Sequence, residues 1–348
     1  MIKTLQTTLK QDKESFQIPS SVQDTIPIRR LWPDGVFQFG SKYSKTLRFS
    51  DINYAIASKE DKTAMFLGYS ELLNALDTGS TTKITINNRR LNRGNFERDI
   101  LLPLRGDRLD EERAEYNAML LGKVTDSSNS VVQERYITLS AHRKSLEEAR
   151  TFFDRAVNDV TSRLSHLDSR CEELDATERL RILHDFYRVG EEVQFRLDLA
   201  ECVRSGRSFK DAICPDSMEF RKDHFVMGKQ YGRVLFLKEY ASYIKDSMIN
   251  ELTSLNRNLM LSIDIIPVPT DEAVREMQNR LLGVETNVTN WQRRQNSNNN
   301  FSAVVPYDLE QQRRETREML DDLTTRDQRM LFAVVTLVHL ADSREELD

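Results

Sequence analysis

Tyr43-Ser44-Lys45-Thr46-Leu47 returns 188 positions later as Tyr231-Gly232-Arg233-Val234-Leu235, with the tyrosine, the basic residue and the leucine in the same places. A period of two with bulky residues predicts a strand at each copy. Upstream of the first copy, Val36-Phe37-Gln38-Phe39 alternates after the turn signal Pro33-Asp34-Gly35. Gly40-Ser41-Lys42 then joins it to Tyr43–Phe49 as a hairpin. Downstream, Lys59–Leu76 predicts a helix with Met65, Leu72, Leu73 and Leu76 near one face, stopped by Asp77-Thr78-Gly79. Thr82–Asn88 reads as a strand, followed by a polar loop through Asn95, a helix over Arg108–Gly122 and a strand over Val132–Ser140. Ser145 opens a long helix striped by Leu146, Ala149, Phe153, Ala156 and Val160. The second copy sits in the same order. Met218–Val226 and Arg233–Tyr240 read as a hairpin, Tyr243–Leu255 as a helix and Met260–Val268 as a strand; two long helices and a final strand, Met330–Leu340, complete it.

Both final strands run into Ser-x-x-Glu, at Ser145-Leu146-Glu147-Glu148 and Ser343-Arg344-Glu345-Glu346. These lie 198 positions apart, so about ten extra residues in the second copy reconcile the two offsets. The order β-β-α-β then α-β predicts an α+β fold. It consists of two split βαβ (ferredoxin-like) units with antiparallel-type sheets covered by helices, plus a long helical hairpin. The expected divisions are a flexible leader over 1–25, a first unit over 26–170, a helical bridge over 171–215 and a second unit over 216–342 that carries the hairpin at 270–325. The capping box Asp175-Ala176-Thr177-Glu178 opens the helix of the bridge. Residues 343–348 read as the start of a truncated helix, because one turn does not repay the cost of nucleation. The expectation is therefore the front part of a longer protein.

Among 348 residues, 50 Lys and Arg face 55 Asp and Glu, for a formal charge of −5. This mild acidity carries no electrostatic footprint of a dedicated nucleic-acid binder. Cys171, Cys202 and Cys214 form no disulfide framework and suggest a reducing compartment. Residues 1–24 contain no apolar segment of the signal-peptide kind. The longest apolar stretch, Leu331–Val338, is far short of the roughly 20 residues needed to span a bilayer. No direct membrane span is expected.

Chemistry-bearing motifs are weak. Gly35–Gly40 is followed by Ser41-Lys42, the wrong order for a phosphate-binding loop, and lies in a predicted hairpin. The cysteines are too far apart for a zinc motif, and Gly68-Tyr69-Ser70-Glu71-Leu72 lacks the second glycine of a nucleophile elbow. No catalytic, cofactor-binding or metal-binding residue is expected. Arginine clusters at Arg29-Arg30, Arg89-Arg90-Arg93 and Arg293-Arg294 lack the interleaved aromatic residues of a single-strand channel, which favours partner docking or local salt bridges. Val274, Met277, Leu281, Val284, Val288 and Trp291 follow spacings of three and four, a heptad seam. Gln295–Asn300 breaks it, and Asp308–Leu323 returns with Leu309, Thr316, Leu320 and Leu323 on one side. The seam reads either as core or as an arm that meets a partner.

Several stretches resemble the N-terminal region of VirB-four-like conjugal transfer ATPases from Gram-positive conjugative elements. They are Lys42–Thr46, Phe49–Ala57, Glu173–Arg188, Tyr231–Met248, Asn256–Gln295, Phe301–Gln312 and Thr324–Asp348. The resemblance implies a docking and assembly domain of a type IV secretion ATPase that moves DNA between cells. It implies contacts with inner-membrane secretion-channel proteins, self-association through the parent ATPase, and a cytoplasmic place at the inner face of the cell membrane. ATP and Mg would belong to a RecA-like domain downstream. No Walker residue occurs here, so no catalytic residue carries over and no enzyme activity is expected of this chain. A stand-alone single-stranded DNA-binding module of a conjugation apparatus is the alternative, and hydrolysis at an unrecognised carboxylate site ranks last.

Overall fold

A computed structural model describes residues 19–52, 54, 56–90, 101–126, 131–240, 247–298 and 304–348. These divide into two compact units. The larger comprises residues 19–68, Thr82–Asp264 and Val334–Asp348; the other comprises Tyr69–Thr81 and Ile265–Ala333.

Among the described residues the larger unit holds all or most of each of eleven strands, β1 (Arg30–Leu31), β2 (Phe37–Phe39), β3 (Lys42–Phe49), β4 (Ser80–Arg90), β5 (Val131–His142), β6 (Cys171–Glu173), β7 (Met218–Phe220), β8 (Phe225–Met227), β9 (Gln230–Phe236), β10 (Asn258–Pro267) and β11 (Leu331–Ala341). Their order in the sheet is β1-β2-β3-β5-β4-β10-β11-β9-β8-β7, with β6 also on β3. Pairings from β1 to β5 and from β7 to β9 and β11 are antiparallel. Read inward from either edge, the order is the same: hairpin, long strand, last strand, middle strand. The registers agree as well. Tyr43 faces Ala141 across β3 and β5, and Tyr231 faces Ala341 across β9 and β11.

Helices in chain order are α1 (Lys59–Asn74), α2 (Asp110–Asp126), α3 (Leu146–His166), α4 (Ala176–Tyr187), α5 (Leu199–Ser205), α6 (Ser247–Thr253), α7 (Thr270–Ser297), α8 (Tyr307–Thr324) and α9 (Arg344–Leu347). Ser145 caps α3 by accepting from the Glu148 amide, and Asp175 and Glu178 cap α4 reciprocally at 2.8 and 3.0 Å. Ala149, Phe153, Val157 and Val160 form the buried stripe of α3, which lies against β3, β5 and β6.

On α4, Arg179 is only 8% exposed. Its guanidinium donates to the Gly35 and Ser44 carbonyls and to Ser44 Oγ, and it stacks on Phe37 at 3.9 Å. Burial pushes its pKa down to about 9. Gly35 has φ +79°, and a Cβ there would overlap the Leu174 carbonyl, so only glycine fits this turn. Leu180, Ile26, Ile28, Phe37 and Ile213 fill the core beside it.

The sequence readings need four corrections. Met218–Val226 is not one strand but two, β7 and β8, because the Arg221 amide bonds back to the His224 carbonyl and turns the chain. β9 accordingly begins at Gln230 and ends at Phe236, before the expected Tyr240. Arg89 and Arg90 are the last residues of β4 rather than loop residues, and α7 continues to Ser297, into the stretch read as a loop. Part of the helix expected over Tyr243–Leu255 lies outside the described residues, as do residues 1–18 of the expected leader. Val22–Thr25 forms a single 3-10 turn, and Lys210 Nζ donates to the Gln23 and Ile26 carbonyls beside it.

In the other unit, α7 and α8 form the hairpin. Val268, Ala273, Met277 and Leu323 make its small core, with Val274, Leu320, Met330 and Phe332 against it. Arg317 and Glu285 pair at 2.6 Å across the two helices.

Candidate functional site

Pleating sends alternate residues of a strand to opposite faces, and directly paired residues to the same face. Arg48 on β3 pairs with Tyr136 on β5, so both share a face, and Glu134 joins them two residues away. Arg89 reaches this group from the end of β4, the strand on the other side of β5. Its Nη2 donates to Glu134 Oε2 at 3.0 Å and its Nη1 to Asp185 Oδ2 at 2.6 Å. Asp185 comes from α4 and is 5% exposed. Arg89 thus ties two strands to a helix through one guanidinium.

Between these side chains lies a cavity of about 440 Å³. Arg48, Arg89, Arg90 and Arg181 line it together with Glu134, Glu178, Asp185 and Glu192, four cations against four carboxylates. Burial by itself pulls the Arg89 guanidinium down, but the charges of Glu134 and Asp185 outweigh it, and the net direction is up. Burial first, and then the Glu134 charge, raise the Tyr136 phenol well above its ordinary value. Among the described residues, Arg48 Nε and Arg89 Nε are buried donors without a hydrogen-bond partner.

Arg90 lines the cavity but makes its hydrogen bonds outside this network. Its amide donates to Asn258 Oδ1 at 2.7 Å, and its guanidinium contacts the Asn256 carbonyl and Glu346 Oε1, the latter at 3.0 Å. Arg257 meets the same Glu346 carboxylate. Arg90 therefore links the start of β10 to α9.

Of the interaction residues read from sequence, the structure brings Arg89 and Arg90 to this site, and both are engaged in internal ion pairs. Arg93 lies outside the described residues. Met277, Val284 and Val288 are buried in the hairpin unit, Leu281 and Trp291 are half-buried, and Arg293 and Arg294 are exposed near the end of α7. Sequence reasoning missed Arg48, Glu134, Tyr136 and Asp185. The alternation of Glu134 and Tyr136 along β5 was the one available signal.

Chemically, the network is charge-balanced and cross-braced. Such an arrangement holds strands and helix in one geometry, and it presents paired charges rather than a basic track to anything that docks. Among the described residues, no group of three or more His, Cys, Asp and Glu converges as a metal site would require. No helix among the described residues is long and apolar enough to cross a membrane. Compared with known proteins, the chain matches no family model and no curated sequence.

Proposed function

We propose that this chain is the docking and assembly domain of a VirB-four-like conjugative DNA-transfer ATPase, a scaffold of two split βαβ (ferredoxin-like) units. It performs no chemistry of its own, ATP and Mg being handled by a RecA-like domain elsewhere in the parent protein. Its partners are inner-membrane secretion-channel proteins and neighbouring copies of the parent ATPase, met at the cytoplasmic face of the membrane.

The reading starts from the long strings that resemble this group, Lys42–Thr46, Tyr231–Met248 and Asn256–Gln295 among them. The observation that carries the two-unit scaffold is the strand order. β5 lies between β3 and β4, which α1 connects, and β11 lies between β9 and β10, joined through α6. The same crossover around an inserted strand, made twice, is what two split βαβ units require. The ion pairs of Arg89 and Arg90 favour a scaffold too, since guanidinium groups bound to carboxylates are not offered to phosphates.

The test is co-expression of the chain with the membrane proteins of a conjugative channel, followed by detergent extraction and co-purification, with calorimetry against Mg-ATP alongside. Co-purification without nucleotide binding supports the proposal; micromolar Mg-ATP binding refutes it. A single-stranded DNA-binding module is the second reading, favoured by exposed Arg293 and Arg294 at one end of a 28-residue helix. Tight binding of single-stranded DNA with a steep salt slope would select it.

A further inference from the structure

Aligning the pair Tyr43 and Ala141 with the pair Tyr231 and Ala341 matches β3 to β9 at an offset of 188 and β5 to β11 at an offset of 200. Thr46 and Arg48 then correspond to Val234 and Phe236, and Glu134 and Thr138 to Val334 and Val338. The face that holds the charge network in the first half of the sheet is therefore apolar in the second. In the first half it is covered. α4 sets Arg179 on Ser44 and Asp185 on Arg89, and Thr46 and Tyr136 are only 6% and 3% exposed. In the second half, Val234 is 54% exposed, Phe236 68% and Val334 46%.

The exposed patch runs on to the edge of the sheet. Directly paired residues share a face, and Gly232 on this face pairs with Phe225, which pairs in turn with Phe220, 64% exposed on β7. The Phe225 ring takes the space above Gly232. No position on this face of β7, β8, β9 and β11 carries a charge, from Met218 at one end to Leu340 at the other. Charges begin just past the strand ends, where Lys222, Lys238 and Glu239 are exposed, so the rim holds both signs. A contiguous apolar area with a polar rim is the signature of a contact surface.

We propose that this face, from Phe220 on β7 across Val234 and Phe236 on β9 to Val334 on β11, docks on the same face of a second copy of the chain. Charge selects that occupant. A charge-free face meets an equally charge-free one without stranding a partner's charge. The equivalent face of the first half offers no such match, being charged and already covered by α4. Area sets the strength. Four strands about 4.8 Å apart and four residues at about 3.3 Å each give a patch of roughly 400 Å² once side chains at its margin are included. Two copies together bury about 800 Å², below the roughly 1,200 Å² of stable complexes, so the pair is weak and reversible. A twofold axis relates the two sheets, which pack about 10 Å apart with Val234 and Phe236 between them. The inference does not rest on the transfer-ATPase reading.

The test is sedimentation velocity of the full chain alone, without nucleotide or membrane proteins, between about 1 and about 200 μM. A shift from monomer to dimer is expected, with a Kd of about 10–100 μM. Phe236→Arg and, separately, Val334→Glu place on this face the side chains that the first half holds at Arg48 and Glu134, so the strands accept them. Each is expected to weaken the dimer at least about tenfold, whereas Leu235→Arg, on the opposite face of β9 and also at an exposed position, should stay within about twofold of the parent. Circular dichroism checks that all three variants fold. A chain still monomeric at about 200 μM overturns the proposal. So does a dimer that neither Phe236→Arg nor Val334→Glu weakens. Shielding of Phe236→Cys from maleimide in a monomeric chain, independent of concentration, would assign the face to the chain's own residues and also overturn it.

Discussion

Replacing Arg89 with Met tests whether the charge network holds the larger unit together. The substitution keeps much of the side-chain volume but removes the donors to Glu134 and Asp185. Asp185 is 5% exposed, so its carboxylate would be left buried without its guanidinium partner, keeping the contact to His184 Nδ1 at 3.3 Å. Breaking a buried ion pair from one side costs about 3–5 kcal/mol, chiefly through the unpaired charge left behind. Arg89 and Glu134 are each about a quarter exposed, which places the expected loss near the lower bound, ~3 kcal/mol. With a urea slope of about 3 kcal/mol per molar, the midpoint should fall by about 1 M. Arg89→Met with Asp185→Asn removes the stranded charge and should recover about half of that loss. Urea unfolding followed by circular dichroism, on the single and double variants, reads this directly. A single variant within ~0.5 kcal/mol of the parent, well inside ordinary surface effects, would refute the idea that Arg89 is a structural hub.

Three further outcomes are expected. Gly232 directly opposes Phe225, whose ring a Cβ would overlap; Gly232→Ala should therefore cost about 1–3 kcal/mol, and Phe225→Leu in the same chain should return most of it in thermal melts. In the hairpin unit, Met277→Ala should cost about 2–4 kcal/mol while Leu282→Ala, at a position 68% exposed, should be nearly silent; equal effects would contradict a seam closed within the hairpin. Burial first, and then Arg257, Arg233 and Arg90 against an opposing Glu346, hold the His339 pKa below the usual value of 6.5. The unfolded chain then binds the proton first as pH falls below about 6.5, so stability should decline from there down to the folded-state pKa and level off beneath it. His339→Leu should remove that part of the decline, measured as urea midpoints between about pH 7.5 and pH 5.

Where sequence signals are local, they read through to the structure. The alternation of Tyr43–Phe49 specified β3, and the Ser145 and Asp175 boxes specified helix starts, because a strand period or a cap involves only residues a few positions apart. Met218–Val226 misled because its apolar pattern continues through a turn made by one backbone bond, from the Arg221 amide to the His224 carbonyl. Arg89 and Arg90 misled because charged residues read as loop, whereas strand pairing and carboxylates from elsewhere in the chain keep them in the sheet.

The repeated Tyr-x-basic-x-Leu run, the paired Ser-x-x-Glu caps and the heptad seam were properties of the chain itself, set by spacing along the backbone. Which strand lies beside which, and therefore that Arg89 meets Glu134 and Asp185 while Arg90 meets Glu346, belonged to the tertiary structure alone. Those partners lie 45 to 256 positions apart, and strand order rather than any local pattern closes such distances.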